Sequence, residues 1–145
     1  MDFSTGLRVS SSGMAAQRMR MNTISSNIAN INTTRTPEGG PYRRKDVVFE
    51  AMTDTRNFGE MVTQPVNENI QRVQVTDVIS DPKAVDLRYE PDHPDAGPDG
   101  YVAYPKINLM EEMANMIQAT RGYEANVAAV QASKDMALSA LEIGR

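Results

Sequence analysis

Apolar residues recur at helical spacing at both ends of the chain and at strand spacing only in its middle. Over residues 1–34, Leu7, Met14, Met21 and Ile28 stand seven apart, and Ile24 and Ile31 follow two of them by three. This is the a/d stripe of a heptad helix, with Ser10 and Gln17 as polar entries in its d series. Gly13 and the polar run Asn22–Asn27 have poor helix propensity, so this helix needs a partner to bury its stripe. Over residues 108–145, Leu109, Met116, Tyr123, Val130 and Ala137 form one heptad series. Met113, Val127 and Leu141 share a second, interrupted by Thr120 and Lys134. Asn108 followed by Glu111 predicts an N-cap of capping-box type, and Gly144 marks the expected end. Within the helix, Gly122 reads as a weak point, costing about 1 kcal/mol against alanine.

The middle, residues 35–107, reads differently. Thr36-Pro37-Glu38-Gly39-Gly40-Pro41 is dense in helix breakers and predicts a loop. Short strands are expected at Arg43–Glu50, Ile70–Ile79, Ala84–Tyr89 and Tyr101–Tyr104, from their β-branched and aromatic content. In the third, Val85, Leu87 and Tyr89 alternate with Asp86 and Arg88. Glu90–Gly100 predicts a turn-rich acidic loop. The fold class that follows is mainly α with a small β-rich insert. Residues 1–34 and 108–145 pair as a coiled coil in one discontinuous helical domain, and the central module is too small to fold robustly by itself.

Composition removes several functions. No cysteine is present among the 145 residues, so disulfides and thiolate metal sites are excluded. The ten methionines read as adaptable helix packing rather than a metal or cofactor box. A net charge of −4 gives no general nucleic-acid footprint. Charge is unevenly placed: residues 1–45 hold seven Arg or Lys and two Asp or Glu, while residues 81–100 hold six Asp or Glu and two Arg or Lys. Such asymmetry can orient subunits in an assembly. Arg43, Arg44 and Lys45 are candidates for an electrostatic contact with an acidic surface on a neighbour, such as the 90–99 loop. They lack the interleaved aromatics of a nucleic-acid patch.

Candidate catalysis is sparse. His93 is the only histidine and lies in Pro91-Asp92-His93-Pro94-Asp95, a solvated-loop context. Asp92, Asp95 and Asp99 do not match a calcium-loop spacing, and neither Gly-rich phosphate motif occurs. No cofactor is expected. Two rival functions remain at this point: a helical adaptor or chaperone closing into a small oligomer, and a small hydrolase using His93. The N-terminus has no basic and apolar signal pattern, and no apolar run is long enough to span a bilayer. By these criteria the protein is cytoplasmic or is exported by a route without a cleavable signal.

Several segments also resemble one family. Ser12-Gly13-Met14-Ala15-Ala16-Gln17, followed by Ser26-Asn27-Ile28-Ala29-Asn30-Ile31-Asn32-Thr33-Thr34, resembles the N-terminal signature of bacterial flagellar rod, hook and hook–filament junction proteins. Thr34–Lys45 is similar to the loop after that helix in proximal-rod members, and Gly100–Pro105 and Met116–Ala132 are similar to the family's C-terminal part. Distal-rod and hook relatives typically continue with a Gly-Phe pair and a large central region. Here Arg35-Thr36-Pro37 follows and the middle is small, which favours the proximal rod.

The resemblance implies a structural subunit and no enzyme. It implies export through the flagellar type III apparatus and assembly in the periplasm into a helical drive shaft. The implied partners are other copies, rod proteins of the FlgB, FlgF and FlgG type, and the membrane ring and export gate, with no nucleic acid and no membrane span. The residues expected at subunit seams are Leu7, Met14, Met21, Ile24, Ile28, Ile31, Leu109, Met113, Met116, Tyr123, Val127, Val130 and Leu141.

Overall fold

The structure is a computed structural model and describes residues 3–53, 71–81 and 85–143. In chain order it has helix α1 (Phe3–Ala29), strands β1 (Lys45–Thr53), β2 (Gln71–Ser80), β3 (Val85–Tyr89) and β4 (Tyr101–Pro105), and helix α2 (Leu109–Ile143). The expected fold class holds: two terminal helices pack along each other, and a small β-rich middle lies between them in the chain. Three expected boundary residues, Ile70, Ala84 and Gly144, lie outside the described residues.

The helix ends follow local chemistry. Asn108 caps α2, its Oδ1 accepting the Met110 N–H at 3.1 Å, and Glu111 and Glu112 place negative charge against the helix N-terminus. At the other junction α1 stops at Ala29 and the chain winds into tight turns. Asn30 Nδ2 donates to the Ser26 carbonyl (2.9 Å), and the Ile31 N–H reaches back only as far as Ile28. Polar side chains that bond nearby carbonyls compete with helix continuation, which is why the Asn-rich run ends it. The Tyr42 N–H then donates to the Thr33 carbonyl (3.0 Å) and closes the breaker-rich loop. Gly39 and Gly40 adopt φ of 90° and 80° within it, a region open to glycine.

The four strands stand in pairs. They make two separate two-stranded antiparallel sheets, β1–β2 and β3–β4. The first lies against α1, and Ser12 Oγ anchors it by accepting the Val73 N–H at 3.2 Å. Its register shifts between Val48 and Phe49, where Val48 faces Asp77 and Phe49 faces Val75, leaving Thr76 as the bulged residue. In the second sheet the alternating pattern points outward. Leu87, Tyr89 and Tyr101 form an exposed apolar face, while Val102 on the opposite face is buried. The 90–100 loop folds over that opposite face, with Tyr104 donating to Glu90 Oε2 (2.9 Å) and stacking edge-on with His93.

The core is thin. Among the described residues, the buried apolar side chains are Ala16, Ile24, Tyr42, Val47, Val102 and Ala119. The chain exposes 10553 Å², whereas a compact monomer of 16.0 kDa exposes about 7400 Å².

Candidate assembly interface

Three surfaces determine what this molecule can bind: the seam between the helices, the polar junction at one end of it, and the faces left outside.

The seam is antiparallel and only half apolar. Asn27 meets Glu112, Met21 Sδ lies 3.6 Å from Thr120 Oγ1, Gln17 lies against Gly122, and Gly13 against Asn126. A Cβ at Gly13 would stand 2.8 Å from Asn126 Oδ1, and one at Gly122 would stand 3.3 Å from Gln17 Cδ. Both glycines therefore leave room for a polar side chain of the other helix, and Gly122, a weak point by propensity, is a contact point by packing.

On α2 the inward positions are Met116, Tyr123, Val130 and Ala137, as the first heptad series requires, but the second inward series is Glu112, Ala119, Asn126 and Ser133. The residues expected to form the second series, Met113, Val127 and Leu141, face outward, as does Leu109 at the N-terminal end. Of that expected series only Thr120, against Met21, reaches the seam. On α1, Ile24 is buried, whereas Leu7, Met14, Met21 and Ile28, with Ile31 just beyond the helix, are half-buried.

The polar junction closes the seam. Asn27 is 1% exposed and uses all of its hydrogen-bonding capacity. Its Nδ2 donates to the Lys45 carbonyl (2.8 Å) and to Glu112 Oε2 (3.2 Å). Its Oδ1 accepts from the Lys45 N–H (2.9 Å) and from the Tyr42 hydroxyl (3.1 Å). Because the Lys45 backbone presents both a donor and an acceptor, only one orientation of the amide satisfies it. Tyr42 gives its single proton to Asn27, so Ser26 Oγ, 3.1 Å from that hydroxyl, is the donor to it.

Glu112, also 1% exposed, accepts from Arg44 Nε through Oε1 at 2.7 Å. Burial works against the Arg44 charge, but the hydrogen bond and charge of Glu112, with Asp46 behind them, outweigh it and raise the guanidinium pKa above its ordinary value. The end of α1, the start of β1 and the first turn of α2 are thus tied by one fully paired cluster. Asn27, Tyr42 and Glu112 were not among the residues expected from sequence. For Asn27 and Glu112 the signal, a polar residue in heptad phase with buried neighbours, is weak without knowing which series faces inward, and Tyr42, in the loop after α1, carries no such signal.

The basic trio divides. Arg44 meets its acid, Glu112, inside its own chain, while Arg43 and Lys45 remain exposed, the Lys45 ammonium 5.7 Å from the centre of the Tyr42 ring. The 90–99 loop contacts a different segment, Thr34 Oγ1 donating to Asp95 Oδ2 at 2.8 Å. His93 Nδ1 accepts the Asp95 N–H (3.1 Å), and its ring stands edge-on to Tyr104. Among the described residues no acid–histidine cluster is arranged to hold a metal, and no helix is long and apolar enough to cross a membrane.

Comparison with known proteins covers both helices and nearly the whole length. Residues 7–35 match the Flagella basal body rod protein family, and residues 99–143 match the Flagellar basal body rod FlgEFG protein C-terminal family. The flagellar basal-body rod protein FlgC of Borreliella burgdorferi is 41% identical over 145 residues, which span 96% of this chain and 95% of that one. FlgC of Bacillus subtilis is 39% identical over 150 residues, 96% of each chain. FlgC of Salmonella typhimurium is 34% identical over 137 residues, 94% of each.

Proposed function

Because this chain belongs to the FlgC branch of the flagellar basal-body rod protein family, we propose that it performs its structural role by polymerising through faces its own fold leaves uncovered. It is a structural rod subunit of the flagellar basal body rather than an enzyme, and it assembles with other rod components. In the proposed course, the chain is exported without a cleavable signal through the flagellar type III apparatus. It then joins a periplasmic shaft that contacts the membrane ring and export gate and continues into FlgB-, FlgF- and FlgG-type neighbours.

The observation that carries this reading is the mismatch between core and surface. Full burial of a Leu, Ile, Val or Met side chain is worth about 1.5–3 kcal/mol, and the described chain buries few of them. Ordering the backbone costs about 1–2 kcal/mol per residue. Helices supported so thinly gain much of their stability from neighbours. The outward residues Leu109, Met113, Val127 and Leu141 supply the area for that, and the half-buried Leu7, Met14, Met21, Ile28, Ile31, Met116, Tyr123 and Val130 become fully covered only in the assembly. Arg43 and Lys45 remain available to an acidic neighbour.

Mass spectrometry of purified hook–basal bodies, from cells with and without this gene, tests the role. The expected result is the chain in intact basal bodies and non-motile, rodless cells on deletion. Its absence from basal bodies, with swimming unaffected by deletion, would refute the reading.

A further inference from the structure

The apolar stripes of α1 and α2 do not by themselves fix how the two helices align. On α1, Leu7, Met14, Met21 and Ile28 stand seven apart, and on α2 so do Met116, Tyr123, Val130 and Ala137. Sliding one helix along the other by seven residues sets apolar side chains opposite apolar side chains again. Only residues that do not repeat can choose the alignment.

Gly13, Gln17, Gly122 and Asn126 do not repeat, and they meet as two reciprocal pairs. In the first, α1 supplies the glycine and α2 the amide. Asn126 Oδ1, Nδ2 and Cγ would stand 2.8, 3.0 and 3.1 Å from a Cβ at Gly13, so the whole amide lies over the glycine. That amide is held in place, because its Nδ2 donates to the Gly122 carbonyl at 2.8 Å. In the second pair the roles are exchanged: Gln17 Cδ and Nε2 would each stand 3.3 Å from a Cβ at Gly122. Four residues forward on α1 answer four back on α2, and the Asn27–Glu112 bond, ten further along both helices, keeps the same alignment.

A slip of seven residues breaks both pairs. In one direction Gln17 meets Ala129 and Gly13 meets Ser133; in the other they meet Asn115 and Ala119. In neither does an amide find a glycine beneath it. The quartet also lowers stability. Two glycines weaken their helices, and Gln17 Oε1 is buried with no hydrogen-bond partner among the described residues. Groups that are unfavourable in themselves yet fit one alignment act as register determinants, as a single polar residue does in a coiled-coil seam.

We propose that the Gly13–Asn126 and Gln17–Gly122 pairs are a register lock, which selects one alignment of α1 on α2 from those the heptads allow. The lock lies within one chain and does not depend on the rod-subunit reading. Its consequence is positional. Alignment decides whether Asn27 and Arg44 reach Glu112, and where the outward face of α2 stands relative to the β1–β2 hairpin.

Two measurements on the full-length chain test this. The first is the urea midpoint. Alanine favours a helix over glycine, so propensity alone would raise the midpoint of Gly13→Ala. The lock gives the opposite: a lower midpoint for Gly13→Ala alone, and a raised one once Asn126→Ala has removed the amide. The second is the alignment itself. The chain has no cysteine, so nitroxide labels can be placed at Ala15→Cys and Ala140→Cys, both exposed positions, and their separation read by pulsed electron paramagnetic resonance. These positions lie far apart along the seam, so a one-heptad slip changes their separation by most of the about 10 Å that seven helical residues rise. The labelled parent should give a single distance. The fourfold variant Gly13→Ala, Gln17→Ala, Gly122→Ala, Asn126→Ala should keep its helicity and gain a second distance. A single unchanged distance in that variant, or a raised midpoint for Gly13→Ala with Asn126 in place, overturns the lock. Lost helicity in the fourfold variant overturns it as well, because these residues would then supply stability rather than alignment.

Discussion

At the scale of single residues, the decisive groups are polar. Asn27 acts on the Lys45 backbone as a neighbouring strand would, offering one donor and one acceptor. Glu112 is a carboxylate with almost no access to water, and its charge is compensated by Arg44. Removing the cation leaves that charge buried and unpaired, so Arg44→Ala should destabilise the chain by about 3 kcal/mol, read as a lower urea midpoint with unchanged slope. Glutamine at position 112 keeps an acceptor for Arg44 but turns its NH2 group toward the Asn27 Nδ2 donor, so this change should also lower the urea midpoint.

Tyr104 gives a residue-scale effect of pH. Its bond to Glu90, then burial and the Glu90 charge, raise its pKa above the ordinary tyrosine value. A group whose folded pKa is raised stabilises the fold below its unfolded pKa and loses that contribution as pH rises through the folded one. Tyr104 should therefore ionise late in an absorbance titration at alkaline pH, and Glu90→Ala should lower its pKa. A titration unchanged by Glu90→Ala would show that this hydrogen bond is not formed in solution.

At the scale of elements, the two faces of α2 have different fates. Ala119 is fully buried against α1, whereas Val127, two turns further on, is 43% exposed. Aspartate at position 119 places a charge inside the seam and should unfold the helix pair, seen as lost helicity in the purified chain. Aspartate at Val127 should leave that helicity intact and block incorporation into basal bodies, with swimming lost. Normal swimming of the Val127→Asp strain would remove Val127 from the subunit interface. The strands show the same division. Their alternation was legible, but the apolar face of β3 and β4 turned outward because the acidic loop, through Glu90 and His93, folds over the other side.

At the scale of the whole molecule, a chain with this much surface for its mass gains from assembly what it lacks in core. Hydrogen exchange should reveal weak protection of α1 and α2 in the free monomer and strong protection in isolated basal bodies. Equal, strong protection in both would mean that the helix pair is self-sufficient and that folding is not coupled to assembly. Weak native stability also suits the export route proposed above, since a chain must unfold to thread a narrow channel.

The two heptad helices, the Asn108 cap, the breaker-rich loop and the four short strands are local matters of periodicity, propensity and turn chemistry, and these were legible in the sequence alone. So was the family, because its signatures lie in contiguous segments. The sequence did not disclose which of two heptad series on α2 faces inward, because Met113 and Val127 are as apolar as any seam residue and only the partner helix selects the Glu112–Ala119–Asn126–Ser133 face. Nor did it disclose why Gly13 and Gly122 are there, since a glycine that weakens one helix can make room for a side chain of its partner. The pairing of Asn27 with Lys45 and of Arg44 with Glu112 joins residues 18 and 68 positions apart. Contacts at such separations are set by how the elements pack in three dimensions, so only the tertiary structure decided them.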